Sequence, residues 1–520
     1  MVLGTSSHVG KSLLTTALCR IFAQEGYRVA PFKSQNMSLN SAATIEGLEI
    51  GRAQALQAEA AGQAASVHMN PILLKPCGDM SSQIVVRGKI WGKLTASEYH
   101  QRRVEELLPI VRESYEVLAS DNDIVILEGA GSPAEINLKQ HDIVNMRMAE
   151  LAGASCVLVG DIDRGGVFAS LLGTVALLEP TEQARIRGFL INKFRGDREL
   201  LQPGVTMIEE RLRKPCLGVV PWIPGLLLEE EDSVALPEML GGAAAWPFSQ
   251  EPTRPLRIAV VALPSFSNFT DFDAVRSEPS VSLRFSSDAS LIANADVVVL
   301  PGSKQTVDDL EWMRNTGLAA SVLAYARRGL LAGICGGMQM LGEEIADPSG
   351  IEQAGSVRGL ALLPLRTEMC AVKTTRLASG TTSMPTLFGQ PIPMLRLGGY
   401  EIHVGASHVS SGAHAFATVQ GRNGEQNPHL DGCISTDSKI FGTYLHGVFD
   451  EDEFRHTFIA AARAFHRLAP AQVLDAWKQK REQSFDRLAK AVRNSVDLHQ
   501  LFGWAGLSYR GSAVSRDPLR

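Results

Sequence analysis

Gly4-Thr5-Ser6-Ser7-His8-Val9-Gly10-Lys11-Ser12 decides the fold of the first half of this chain. A glycine-started loop closing on Gly-Lys-Ser turns successive backbone N–H groups and a helix N-terminus toward phosphate oxygens. Lys11 then neutralises β- and γ-phosphate charge, and the Ser12 hydroxyl is placed to ligate Mg2+. Gly4, Thr5, Gly10, Lys11 and Ser12 are therefore the candidate contacts to ATP. Five residues separate Gly4 from Gly10, against four in the standard phosphate loop. Only Met1-Val2-Leu3 precede the loop, so either the first strand is short or the natural start lies upstream. The loop's position also leaves no room for a signal peptide.

Working outward, short β-branched runs alternate with Ala/Leu/Glu-rich helical segments. Strands are expected at 28–33, 123–128, 155–161, 187–192 and 217–221, with an inserted strand at 82–89. That order predicts a doubly wound parallel sheet covered on both faces, an α/β fold. Ligands of such sheets sit beyond the carboxyl ends of the strands. Glu128 falls there as a second candidate Mg2+ ligand, and Lys33 as a cation for a phosphoryl group or a substrate carboxylate. Asn192 is suited to reading a nucleotide base, and Asp142 to positioning Mg2+ or the carboxylate as a catalytic group. Asp161 and Asp163 end another strand, with a turn-forming role as the alternative.

The second decisive stretch is Gly333-Ile334-Cys335-Gly336-Gly337. It follows an apolar strand and precedes a helix-forming Met-Gln-Met-Leu, which is the pattern of a sharp strand-to-helix turn that presents a nucleophile. The helix N-terminus favours the Cys335 thiolate. The N–H groups of Gly336 and of Gly302, in Pro301-Gly302-Ser303-Lys304, supply a candidate oxyanion hole. His446, in Tyr444-Leu445-His446-Gly447, is the candidate base, with His403 as competitor. Strands are expected around this motif at 257–263, 282–285, 296–300, 331–334 and 440–445, a second α/β series.

The 520 residues are 45% hydrophobic and 20% charged, enough for two or three cores of ordinary soluble type. A net charge of −6 without basic runs speaks against nucleic-acid binding, and no apolar run reaches membrane-spanning length. Seven cysteines without CxxC spacing fit a reducing cytoplasm better than a disulfide framework or a zinc site. The expected organisation is a P-loop domain at 1–236 and a Gly/Ala/Pro-rich linker at 237–255. A cysteine-nucleophile domain at 256–452, a helical extension at 453–507 and a disordered tail at 508–520 follow. Oligomeric state is left open.

Three resemblances sharpen this reading. The longer phosphate loop is similar to that of the dethiobiotin synthetase and MinD-type branch of P-loop proteins. Residues 333–339 with a downstream histidine resemble a triad-type, class I glutamine amidotransferase domain, which hydrolyses glutamine through a cysteinyl thioester. Such domains usually carry Glu two residues after the histidine. This chain has Val448, which implies that His446 is held by another acceptor, a backbone carbonyl or packing alone, with Asp450 pointing elsewhere. Residues 31–41, 51–54, 69–76, 128–138, 161–173 and 191–197 are similar to the cobyric acid synthase family. The resemblance runs from Gly4 to about Phe454. It implies ATP- and glutamine-dependent amidation of the b, d, e and g carboxylates of a corrinoid a,c-diamide, with Mg2+ as cofactor. The alternatives are an a,c-diamide synthase and a switch ATPase with a vestigial amidotransferase domain.

Overall fold

The computed structural model describes residues 1–520 except 78–80, 229–245, 247–248, 250, 411, 422–427, 473–475 and 512–520. The chain forms two compact units, neither of them continuous in sequence. One comprises Met1–Met37, Ile50–Leu228 and Arg481–Arg520, the other Ser38–Glu49 and Glu229–Lys480. The expected borders at 236 and 256 therefore miss two exchanges of chain, one near residue 40 and one near residue 480. Much of the expected linker lies outside the described residues. Within it Trp246 is buried, and its Nε1–H donates to the Leu291 carbonyl at 3.0 Å.

In the first unit, strands β1 (Val2–Gly4), β2 (Val29–Phe32), β3 (Ile124–Leu127), β4 (Cys156–Asp161), β5 (Ile186–Phe194) and β6 (Cys216–Pro221) are all parallel. A bridge between Val2 and Glu128 joins the β2–β3 pair to the other four, giving the order 2-3-1-4-5-6. Phe32, Leu3, Leu158 and Ile191 are fully buried, as expected of strands covered on both faces. The loop after β1 leads into helix α1 (Lys11–Gln24). The expected single inserted strand is a hairpin of Ser81–Val86 and Lys89–Thr95, paired to Ile72–Pro76 and through it to Gln35–Met37.

The expected C-terminal extension is not one element. Its helix breaks between Phe465 and Trp477, where Pro470 removes a backbone donor. The first part, Asp452–Phe465, buries Phe454 and Phe458 against Phe416, Phe441 and Phe449 in the second unit. The later part covers α1 in the first unit. Phe485, Leu488, Val492 and Phe502 join Leu14, Leu18 and Phe22, with the Phe502 ring stacked on Phe22 at 3.9 Å. Ser508 and Tyr509 are ordered there too, since the Tyr27 hydroxyl donates to the Ser508 carbonyl at 2.8 Å. Residues 508–511 of the expected tail are thus described, and residues 512–520 lie outside the described residues.

In the second unit, β7 (Leu256–Val261), β8 (Val281–Ser286), β9 (Val297–Leu300), β10 (Leu330–Ile334) and β11 (Ile440–Thr443) form a parallel sheet in the order 8-7-9-10-11. A second, antiparallel sheet of five strands includes Thr374–Thr382, Arg396–His403 and Leu445–His446. Sequence reading did not anticipate it. The chain passes from β11 into that second sheet within two residues, which places His446 beyond the carboxyl end of the first.

Candidate active sites

Around the phosphate loop, Glu128 is the organising group. Its carboxylate is buried and accepts from the Ser12 hydroxyl at 2.8 Å, Lys33 Nζ at 3.0 Å and Gln57 Nε2 at 2.7 Å. Lys11 Nζ donates to the carbonyls of Ser6 at 2.9 Å and Gly131 at 3.0 Å, so its ammonium is held across the loop. Gly10 has φ 96°, and a Cβ there would lie 2.2 Å from the Asn192 amide nitrogen. The positive φ and the close approach of Asn192 therefore hold residue 10 to glycine. Sequence reading missed Gln57, which is buried beside a second buried glutamine, Gln54, on the helix Arg52–Ala60.

Two of the candidate residues are bonded to nearby backbone. Asn192 Nδ2 donates to the Val9 carbonyl at 2.8 Å and Lys193 Nζ to the His8 carbonyl at 2.6 Å, so this strand end braces the phosphate loop from behind. One of the two Asn192 amide N–H groups is engaged by the loop in this way. Asp142 is a cap. Its Oδ1 accepts from the Val144 and Asn145 amides at 2.8 and 2.9 Å and its Oδ2 from the Arg147 amide at 3.2 Å, at the start of helix α2 (Met146–Leu151). A short Asp side chain next to its own backbone satisfies orphan helix donors. Both carboxylate oxygens of Asp142 are thus engaged by the turn before α2.

In the second unit, Cys335 lies between β10 and helix α3 (Gly336–Leu341) with φ 51° and ψ −113°, a strained conformation for a residue with a side chain. The flanking glycines make that turn possible, because a Cβ on Gly337 would lie 2.0 Å from the Leu300 carbonyl oxygen. Gly336 opens α3, where the first N–H groups have no intrahelical acceptor. A Cβ on Gly336 would meet Ser303 N at 3.0 Å, and one on Gly302 would meet His446 Cε1 at 3.1 Å. Of the two glycines expected at an oxyanion hole, Gly302 thus borders the imidazole and Gly336 the Ser303 amide.

His446 is 1% exposed, stacked against the Tyr400 ring at 5.2 Å. Its Nδ1 lies 2.7 Å from Asp271 Oδ2, and Asp271 Oδ1 accepts the Gly447 amide at 3.0 Å. Burial opposes charging the imidazole, but the Asp271 charge and hydrogen bond, with the Cys335 thiol beside it, outweigh burial and push its pKa up to about 10. Asp271 therefore favours the charged form of the imidazole next to the nucleophile. Val448 is buried in the core and Asp450 is not the Nδ1 acceptor. Sequence reading expected no carboxylate close in sequence and missed Asp271, 175 positions upstream. Its available signal was a charged residue within Phe269-Thr270-Asp271-Phe272, a turn buried on every side.

The competing base, His403, is a different kind of residue. Burial pulls its pKa down to about 4, its ring stacks on Tyr444 at 3.7 Å, and its Nδ1 faces the Gly405 carbonyl at 2.9 Å. It stays neutral at physiological pH. Burial also pushes the Cys216 and Cys433 thiols up to about 11, which disfavours their thiolates.

The arrangement agrees with what the chain is similar to. Residues 1–234 match the model of the CobQ/CobB/MinD/ParA nucleotide binding domain, and residues 257–454 that of the CobB/CobQ-like glutamine amidotransferase domain. The cobyric acid synthase of Thermoanaerobacter sp. (strain X514) is 47% identical over 506 residues, 96% of this chain and 97% of the relative. That of Clostridium botulinum (strain 657 / Type Ba4) is 46% identical over 508 residues, 98% and 99% of the two chains. That of Yersinia enterocolitica serotype O:8 / biotype 1B is 46% identical over 510 residues, 96% of each. With a nucleotide-binding domain, a cysteine–histidine–aspartate constellation and relatives matched from end to end, the chain belongs to the cobyric acid synthase family.

Proposed function

We propose that this protein is a glutamine-hydrolysing, ATP- and Mg2+-dependent ligase that amidates the b, d, e and g carboxylates of adenosylcobyrinic acid a,c-diamide. The observation that carries the reading is one polypeptide holding both Cys335–His446–Asp271 and the Ser12–Glu128–Lys33 cluster after a phosphate loop.

The chemistry follows from these groups. The Cys335 thiolate attacks the glutamine amide carbon, and the Gly302 and Gly336 N–H groups receive the oxyanion. The His446 imidazolium donates its Nε2 proton to the departing ammonia and then takes a proton from the water that opens the thioester. Asp271 fixes the tautomer by holding Nδ1–H. At the other site a carboxylate is a poor acyl donor, so transfer of the γ-phosphoryl group of ATP first makes an acyl phosphate, from which ammonia displaces phosphate. Lys11 and Lys33 balance charge on the phosphoryl group in transit. A hydroxyl and a buried carboxylate 2.8 Å apart are a hard-oxygen pair suited to a cation that keeps water and phosphate ligands, so Ser12 and Glu128 would hold Mg2+. When bound, Mg2+ supplies neutralisation of phosphate charge.

The test is mass spectrometry of the a,c-diamide incubated with the enzyme, Mg-ATP and glutamine. Four successive replacements of OH by NH2 are expected. No reaction with the a,c-diamide, or amidation confined to cobyrinic acid itself, refutes the assignment.

A further inference from the structure

Residues Ser38–Glu49 belong to the glutaminase-bearing unit, although the chain on either side of them, up to Met37 and from Ile50, belongs to the nucleotide-binding unit. Within its unit this arm meets the turn that carries Asp271. The Asn40 Oδ1 accepts the Phe269 amide at 3.2 Å, and the Ser41 amide donates to Asn268 Oδ1 at 3.0 Å. Both arm residues are fully buried. Asn268 has a left-handed backbone, with φ 55° and ψ 47°, and its Nδ2 lies 3.5 Å from His446 Nε2. The Asp271 amide closes the same turn on the Asn268 carbonyl at 3.0 Å. Further along the arm, Ala43 packs on Tyr400 and Ile402, and Tyr400 is the ring stacked on His446. At its far end Glu49 pairs with Lys373 at 2.5 Å.

We infer that Asn40 and the Ser41 backbone are positioning groups for glutamine hydrolysis, holding Asn268 and Asp271 where they orient His446. Two of the turn's polar groups, the Phe269 amide and the Asn268 carboxamide oxygen, are bonded by residues more than 200 positions away in sequence. Without the arm, a left-handed asparagine and a buried carboxylate would have to keep their places with those polar groups open. The arm does not touch the sulfur, so its effect runs through His446. This inference rests on the glutaminase reading above. It adds that the reaction depends on a segment of the chain's N-terminal part, seven positions beyond Lys33.

The experiment compares full-length wild type and Asn40→Ala for glutamate release and for corrinoid amidation with glutamine or ammonium as nitrogen donor. Expected is a fall in glutaminase kcat of at least about tenfold, ~1.4 kcal/mol in the barrier. KM for glutamine and the ammonium-dependent rate should each stay within about twofold, ~0.4 kcal/mol. A folded Asn40→Ala protein with wild-type kcat, or with the two donors losing rate in parallel, overturns the inference. Lys373→Gln loosens the other end of the arm and is expected to lower glutaminase kcat in the same donor-selective way. It carries the test if Asn40→Ala does not fold, and an unchanged kcat in it then overturns the inference. Failure of the wild type to amidate with ammonium would refute the ligase reading alone, since glutamate release reports on the arm independently.

Discussion

Asp271 Oδ2 and His446 Nδ1 lie 2.7 Å apart with both side chains almost wholly buried. The imidazole of this thiol site is thus oriented by a carboxylate from the loop after β7, while the position two residues beyond the histidine, Val448, is filled by core packing. Asp271→Asn is expected to lower glutaminase kcat by at least about a hundredfold, because an amide can present its N–H to Nδ1 and select the wrong tautomer. Asp450→Asn should change it by less than about twofold, ~0.4 kcal/mol. Steady-state glutamate release by the two variants checks this, and a collapse in Asp450→Asn would contradict the geometry.

The same pair sets a pH dependence. The His446 pKa is raised in the folded protein to about 10, above its ordinary value of 6.5. Its stabilising contribution is therefore fully present below about pH 6.5 and is lost as pH rises through about 10. The imidazolium that protonates the leaving ammonia should persist to the same limit. Glutaminase activity is expected to hold into the alkaline range, and in Asp271→Asn its alkaline limb should move down by at least a unit, a change in charge stabilisation of ~1.4 kcal/mol. A pH profile of kcat measures both.

Cys335→Ala should abolish glutamine-dependent amidation and leave the ammonium-dependent rate within about twofold, ~0.4 kcal/mol in the barrier. The thiolate acts only in releasing ammonia. Loss of both rates together would show that Cys335 has a second, structural task.

Lys11→Ala has the opposite signature. It removes a cation from the phosphoryl group in transit and should reduce amidation from either donor by about a hundredfold or more. Rates with glutamine and ammonium, measured at saturating ATP, decide it.

Asp142→Ala should act on stability. Losing side-chain-to-backbone bonds at a helix start costs about 1 kcal/mol. Asp142→Asn retains an acceptor oxygen and should be nearly neutral in thermal denaturation. Ammonium-dependent kcat is expected within about twofold of wild type in both, ~0.4 kcal/mol.

Residues that act through local pattern were legible in the sequence. The phosphate loop, the Cys335 turn and His446 announce themselves because each is a strand end followed by glycine, and the parallel strands show as continuous apolar runs. Asp271 and Gln57 were not legible for the opposite reason. Each works through a partner far along the chain, and its own neighbours give it no periodic or turn signature. Asn192 and Asp142 were placed correctly at strand and helix ends, but the choice between touching a ligand and satisfying backbone depends on distances of a few tenths of an ångström. The antiparallel sheet around Thr374–Thr382 was illegible because its Thr- and Gly-rich strands alternate weakly, and most of their pairing is long-range.

The crossing of residues 38–49 into the second unit has a genetic consequence. An open reading frame cut anywhere between the two family-matched segments, 1–234 and 257–454, separates His446 from Asn40 and Ser41. The downstream fragment would inherit the nucleophile and the triad but not the arm that its turn at 268–272 is bonded to. Two independently encoded subunits would therefore have to associate for Asn40 to accept the Phe269 amide.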